Sequence, residues 1–248
     1  LEVDIKDIIE ILKLFPESKD SDVLIINILH NLFWNKRKEA ELKKYARKFI
    51  SSLDYSQRDK YNDHLNYEVG EIVKYAFNKE TGKREAKIIY EKIIELIKRK
   101  GIFYYNYKHI LDELIKLYPI EFLDILYADE EIKDYQLIHF VKGYGHNEDV
   151  INLIDDDILI EWMKKNKKQE KISLSITPYE SEKNILRWKK VAKYLIENYP
   201  EDKLIINNLI LGIYPTSWSD KYSDVLERRL NLSEELKKSE NMKVKKIG

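Results

Sequence analysis

The stretch LIKLYP, residues 114–119, indicates how this chain builds its fold. Its apolar side chains recur at helical spacing, and Pro119 then stops the helix because proline lacks an amide hydrogen. Similar endings occur in LIENYP at residues 195–200 and in LKLFP at residues 12–16. Each places an aromatic residue directly before the proline. The recurrence predicts a unit made of one helix, an aromatic-proline stop and a second helix.

The helices that follow two of these stops also resemble each other. LIINIL at residues 24–29 matches LIINNL at residues 204–209, and apolar residues recur at helical spacing along nearly the whole chain. Sustained alternation of polar and apolar residues is missing, and Asn-Gly or Asp-Gly hairpin signals are absent, so we expect no strand. The sequence predicts an all-α fold, a HEAT-like helical-repeat solenoid of about twelve helices.

Composition suits one helical domain. The 248 residues are 44% hydrophobic and 35% charged, with 7 Gly and 5 Pro, and we expect a single repeat domain over residues 1–248. Residues 237–248 are expected to form a basic flexible tail. Because the chain begins with Leu1 and not with Met, we expect it to be part of a longer protein. The absence of Cys excludes disulfides and favours a cytoplasmic location.

Charge and hydropathy argue against several classes of partner. The formal net charge is zero, so nucleic acid is not the expected partner. The longest apolar stretch, residues 23–34, is interrupted by Asn27, His30 and Asn31 and is too short to span a bilayer, so no membrane association is expected. Residues 78–85 contain Gly-Lys without the rest of a phosphate-binding loop. No cofactor and no metal are expected.

Aromatic residues are the best candidates for contact with a partner. Residues 102–109, IFYYNYKH, place four aromatic side chains within five positions, and these cannot all face one core. Exposed tyrosines are typical anchors of protein interfaces. A tryptophan in the corner PTSWS, residues 215–219, is a further candidate, although the first reading of this residue is a side chain that pins the corner internally. The predicted partner-binding residues are Phe103, Tyr104, Tyr105, Tyr107 and Trp218.

The final part of the chain carries an ordered set of motifs. LIEWMKKN with Trp162 comes first, followed by LSITPY, ILRWKKVAKYLIENYP, NNLILGIYPTSWS and VLERRLNLSEEL. Over residues 155–236 this order resembles the HEAT-like C-terminal repeats of large bacterial multidomain proteins, including sirtuin-like and STAND-type defence and signalling architectures. The resemblance implies a scaffold or sensor role, as in anti-phage defence, and transfers no catalytic residue.

One motif supports an enzymatic alternative. RDKYNDH, residues 58–64, resembles the metal-independent ribonuclease motif of HEPN domains, which are also helical. The resemblance implies that Arg58 stabilises phosphate charge and that His64 acts as an acid or base. The competing interpretation is a solvated helix face without catalytic activity. An enzyme is therefore the second reading and a non-enzymatic module the first.

A basic run gives a third reading. Lys43, Lys44, Arg47 and Lys48 lie on one predicted helix and could contact nucleic acid, whereas the nearby acidic residues Glu39 and Glu41 favour a solvated face. Taken together, the patterns predict a protein-recognition or scaffolding module. Its partner is a protein of unknown identity or a second copy of the same chain.

Overall fold

The computed structural model describes residues 4–35, 38–56, 63–100, 104–128, 130–142, 149–182, 185–213 and 222–247. Over these residues the fold is helical apart from one short hairpin, in agreement with the predicted all-α class. The chain divides into two compact units, Leu1–Ile132 and Lys133–Gly248. The single repeat domain expected over residues 1–248 stays a prediction.

The first unit contains seven α-helices in its described residues. They are α1 (Ile5–Lys13), α2 (Lys19–Trp34), α3 (Ala40–Ser52), α4 (Asp63–Ala76), α5 (Lys83–Lys100), α6 (Lys108–Leu117) and α7 (Pro119–Ala128). A 3-10 turn, Tyr104–Tyr107, precedes α6. Side-chain caps mark two of the starts, since Asp4 accepts from the Lys6 amide at α1 and Ser18 accepts from the Ser21 amide at α2.

Alternate helices of the first unit pack together in two layers. α1, α3, α5 and α7 follow one another in one layer, and α2, α4 and α6 follow one another in the other. The layers meet chiefly where α3 contacts α4. Fully buried aliphatic side chains such as Leu29, Leu42, Ile72 and Leu111 fill the space inside this unit.

The LIKLYP stretch has two structural roles. Pro119 is the first residue of α7, where its missing amide hydrogen is tolerated. Tyr118 is 1% exposed, and its hydroxyl donates to carbonyl oxygens of the turn between α4 and α5, at Asn78 and, over 2.6 Å, at Thr81. Gly82 ends that turn with a φ of +107°, a conformation that favours glycine. The motif thus fastens α6 to an earlier turn of the same unit.

The second unit contains seven further α-helices in its described residues. They are α8 (Asp134–Lys142), α9 (Asp156–Asn166), α10 (Gln169–Ser175), α11 (Lys190–Asn198), α12 (Lys203–Ile213), α13 (Tyr222–Lys237) and α14 (Met242–Lys245). Here too alternate helices pack together: α8, α10 and α12 form one series, and α9 packs on α11. In LIENYP, Leu195 and Ile196 are buried like the equivalent residues Leu114 and Ile115, but Tyr199 accepts from Gln169 over 2.9 Å.

The expectation of no strand is wrong. β1 (Tyr179–Glu182) and β2 (Ile185–Trp188) form an antiparallel hairpin in which Tyr179 pairs with Trp188. The indole of Trp188 is buried and donates to the carbonyl oxygen of Leu232 over 2.9 Å, so α13 anchors the second strand. Each strand has only four residues, which is too short for alternation to be recognised in the sequence.

The end of the chain is tied to the second unit. Within the segment expected to be a flexible tail, α14 buries Val244, and the ammonium of Lys243 lies 2.7 Å from a carboxylate oxygen of Glu201. Among the residues that the structure describes, no helix combines the length and the apolar character needed to cross a bilayer.

The side chain of Lys92 connects α5 to the C-terminal end of α3. Its ammonium donates to the carbonyl oxygens of Ser51, Ser52 and Leu53 over 2.8, 3.0 and 3.0 Å, groups that a helix end leaves without internal donors. Burial lowers the pKa of Lys92. We expect Lys92→Met to lower the free energy of unfolding by about 1–3 kcal/mol, measured by urea denaturation, because charged hydrogen bonds are lost. Lys87→Met on the exposed face of α5 is the control, and equal stability of the two variants would contradict this role.

Candidate partner-binding surface

Four aromatic rings form a row across the layer made of α2, α4 and α6. We call this row the aromatic strip; in spatial order it consists of Trp34, His30, Tyr67 and His109. Successive ring centroids are 6.2, 6.5 and 5.5 Å apart. Tyr67 meets both imidazoles edge to face, with interplanar angles of 73° and 86°, a favourable geometry for neighbouring rings. Three helices therefore contribute to one continuous surface.

The strip is open to solvent to an unusual degree for large rings. Trp34 is 65% exposed, Tyr67 is 44% exposed and His109 is also exposed, whereas His30 is half-buried between its neighbours. Large aromatic side chains usually bury most of their area in a folded protein. An exposed row of such rings is characteristic of a contact surface.

A close approach of two helices sets the spacing of the strip. Gly70 of α4 lies against α6 so tightly that a Cβ atom there would be 2.7 Å from the Cβ of His109 and 2.9 Å from its carbonyl oxygen. The strip therefore depends on glycine at position 70. α4 continues through this glycine without a break. Its role is close packing.

The two strip residues on α2 share a helix face because they are four positions apart. The asparagines beside them are occupied with their own helix. The Asn27 amide donates to the Val23 carbonyl oxygen over 2.8 Å, and the Asn31 amide donates to the Asn27 carbonyl oxygen over the same distance. These bonds hold the asparagine side chains against the backbone of α2, whereas the ring of Trp34 extends into solvent.

A buried carboxylate lies below the strip. Glu68 follows Tyr67 in α4 and is 4% exposed, and its Oε1 atom lies 3.7 Å from Nδ1 of His30. Burial of a carboxylate is costly unless a partner compensates it. The His30 imidazole is thus positioned from both sides, by rings along the strip and by Glu68 beneath it.

The predicted tyrosine cluster divides between core and surface. Tyr104 and Tyr107 are each 4% exposed, and the Tyr107 hydroxyl donates to the Tyr55 carbonyl oxygen over 2.5 Å. The Tyr104 hydroxyl donates to Asp112. Only Tyr105, which is 65% exposed, presents its ring to solvent among the three described members. A surface partner would therefore meet Tyr105 and not the two buried rings.

Several predicted residues lie outside the described part of the chain. Phe103, Arg58 and Trp218 are among the residues that are not described, and His64 belongs to α4 without a described side chain. The proposed ribonuclease pair and the Trp218 contact therefore remain predictions.

The basic run on α3 is partly structural. The Arg47 guanidinium donates to the Ala76 carbonyl oxygen at the end of α4 over 2.6 Å, which satisfies a carbonyl that the helix end leaves free. Lys43 is half-buried, while Lys44 and Lys48 are exposed. Only the last two have the surface position that a nucleic-acid contact requires, so the run presents less positive charge than its sequence suggests.

A second group of charges lies in the second unit. Asp149 is 7% exposed and accepts from the Thr177 hydroxyl, which precedes the hairpin. Burial raises the pKa of Asp149 and lowers the pKa of both Lys142 and Lys189, which face it. The ammonium of Lys189 also donates to Asn152. These contacts join α8 to the hairpin, and their mutual compensation explains them as structural.

The groups of the strip are suited to contact with a ligand. Across the described ranges no group of three or more His, Cys, Asp or Glu side chains is arranged to hold a metal ion. What the strip supplies is ring area and two imidazoles that can donate or accept hydrogen bonds, with a buried carboxylate below them. Such groups recognise a ligand by stacking and cation contacts.

Sequence reasoning missed the strip, although half of its signal was present. His30 and Trp34 interrupt the apolar pattern of α2 on one face, and that irregularity could have been followed up. Tyr67 and His109 belong to different helices and are 42 positions apart in the sequence (109 − 67). Their proximity depends on the packing of α2 on α4 and of α4 on α6, which periodicity does not reveal.

Gly70→Ala tests the close approach of α4 and α6. Helix propensity alone predicts a gain of about 1 kcal/mol for alanine, whereas forcing a methyl group against backbone atoms costs about 1–3 kcal/mol or more. We expect a net decrease in the free energy of unfolding by urea denaturation, because the Cβ would meet the His109 carbonyl oxygen at 2.9 Å. Lys87→Ala on the exposed face of α5 is the control for helix propensity. A Gly70→Ala variant that is more stable than the parent would contradict the close packing of α4 on α6.

Comparisons of this chain with models of protein families, with curated proteins and with solved structures gave no match. The proposals about function therefore depend on the geometry of the aromatic strip and on physical chemistry.

Proposed function

We propose that the chain is a protein-recognition module that binds its partner through the aromatic strip. The observation that carries this proposal is the exposure of Trp34 and Tyr67 in a continuous row with His30 and His109. Tryptophan and tyrosine are enriched among the residues that dominate the binding energy of interfaces, because they supply much area for little conformational entropy.

The packing of alternate helices supports a recognition role. In each unit helices two positions apart in the order lie side by side, which is how helical repeats place several helices in one surface. Three such helices supply the strip, so a partner would contact residues far apart in sequence. We further propose that both units belong to a HEAT-like helical-repeat array, as the recurring aromatic-proline stops predict.

The biological setting follows from the resemblance over residues 155–236. It extends the proposal to a scaffold or sensor part of a larger cytoplasmic bacterial protein, of the kind that acts in anti-phage defence. A second copy of the chain is an alternative partner. None of this requires a cofactor.

A display selection tests the proposed function. The immobilised protein is presented with a library of random twelve-residue peptides, and the enriched peptides are then measured on variants by calorimetry. We expect Trp34→Ala and Tyr67→Ala each to cost about 2 kcal/mol of binding free energy, roughly a 30-fold rise in Kd, as removal of an interface anchor does. Both residues are exposed, so the variants should keep the stability of the parent protein.

The matched control carries Tyr135→Ala and Met242→Ala, which remove side chains that are 58% and 66% exposed in the second unit. Its affinity should equal that of the parent. Selected peptides that bind the two strip variants and the control alike would reject the aromatic strip as the recognition surface.

The ribonuclease alternative has its own assay. HEPN-like chemistry predicts that purified protein cleaves single-stranded RNA and that Arg58→Ala and His64→Ala each abolish cleavage. The recognition module predicts an unchanged RNA ladder with all three proteins on a denaturing gel. Cleavage that both substitutions remove would replace the recognition proposal with a metal-independent nuclease.

A further inference from the structure

Among the residues that the structure describes, no lysine or arginine covers the exposed rings of the strip. Elsewhere in the described residues, tyrosine rings are covered by a lysine or arginine side chain at 4.8–5.9 Å from the centroid. These pairs are Lys74 with Tyr75, Lys108 with Tyr104, Lys164 with Tyr194, and Arg229 with Tyr179. Within the same described residues neither Trp34 nor Tyr67 has such a cover. Their π faces are therefore available to a cation from a partner.

The layer that carries the strip is acidic. The described side chains of α2, α4 and α6 comprise six carboxylates and four ammonium groups, namely Asp20, Asp22, Glu68, Glu71, Asp112, Glu113, Lys19, Lys74, Lys108 and Lys116. Three of the four ammonium groups lie close to a carboxylate of their own helix, with distances of 3.3 Å for Lys74, 3.0 Å for Lys108 and 3.1 Å for Lys116. The opposite layer has the other sign, because the described side chains of α1, α3, α5 and α7 comprise twelve basic and eight acidic groups. A net charge of zero for the whole chain hides this separation.

Glu68 places a carboxylate beneath the strip. Its side chain is 4% exposed, and its Oε1 atom lies 3.7 Å from Nδ1 of His30. Aromatic rings already present a negative face to a ligand above them. The excess of carboxylates in this layer and the negative faces of the rings thus both favour an occupant that carries a positive charge and a flat group.

We propose that the partner presents an arginine-containing peptide segment, whose guanidinium stacks on Trp34 and Tyr67. This inference rests on the proposed function and specifies the chemistry of its partner. Arginine fits better than lysine because its planar guanidinium can lie against a ring and is more weakly hydrated. Single-stranded RNA would also stack on the rings, but its phosphates would face the carboxylates of α2 and α4.

The test compares peptides that differ in one charge. The peptides enriched on the parent protein are resynthesised with each arginine replaced by citrulline, which keeps the planar shape and removes the charge. We expect arginine to be enriched over the input library, and the citrulline peptides to bind the parent about tenfold more weakly, as loss of a cation–π contact predicts. On the Trp34→Ala/Tyr67→Ala double variant, the arginine and citrulline peptides should bind with equal affinity, as a double-mutant cycle requires.

Each other outcome overturns a defined statement. Equal binding of the arginine and citrulline peptides to the parent, with both lost on the double variant, would overturn the basic partner and leave peptide recognition in place. If the arginine peptides still bind the double variant more tightly than the citrulline peptides do, the guanidinium does not stack on Trp34 and Tyr67. A twenty-nucleotide uridine RNA that binds more tightly than the peptides and is lost on the double variant would overturn both proposals. Lys44→Glu/Lys48→Glu separates RNA binding on α3 from RNA binding on the strip.

Discussion

At Gly70 the backbone of α4 comes so close to α6 that a β-carbon would lie 2.7 Å from the Cβ of His109. The candidate surface depends on this contact, because the contact places the ring centroids of Tyr67 and His109 5.5 Å apart. α4 also packs on α2, so one helix fixes the positions of rings on both sides. A side chain at position 70 would separate α4 from α6 and interrupt the row.

Several polar side chains of the first unit hold the fold together, whereas the aromatic strip stays open to solvent. Tyr118 fastens the turn between α4 and α5, Arg47 satisfies the end of α4, and Lys92 satisfies the end of α3. Arg47 belongs to the basic run that the sequence offered as a nucleic-acid contact, yet the polar atoms of all three side chains are used inside the unit. The strip differs because Trp34 and Tyr67 keep much of their ring area in solvent. Area that folding leaves exposed is area that binding can bury.

The order of the helices could be predicted from the sequence because helical periodicity and proline stops are local signals. Pro119 starts α7, and the apolar pattern marks α2 and α12 correctly. The hairpin could not be predicted in the same way. Its second strand carries apolar residues that also suit a helix, and only the bond from Trp188 to Leu232 and the pairing with β1 select the extended form.

The candidate site was harder to predict than the fold. The sequence directed attention to a tyrosine cluster, and the 3-10 turn Tyr104–Tyr107 then turns two of its rings inward. Local density of aromatic residues does not say which of them find space in a core. The strip draws on three helices, so its existence depends on tertiary packing. What a sequence can supply is an irregularity such as His30 and Trp34 within an otherwise apolar helix.

Fluorine NMR of protein labelled with 5-fluorotryptophan tests the central claim most directly. The chain has four tryptophans, so four resonances are expected, and Trp34→Phe assigns the one from the strip. Trp162 and Trp188 are each 4% exposed and serve as internal references. When a library-selected peptide is added, binding on the strip predicts that the Trp34 resonance moves while the two references stay in place. Saturating peptide that leaves the Trp34 resonance unmoved would contradict a recognition surface on α2, α4 and α6.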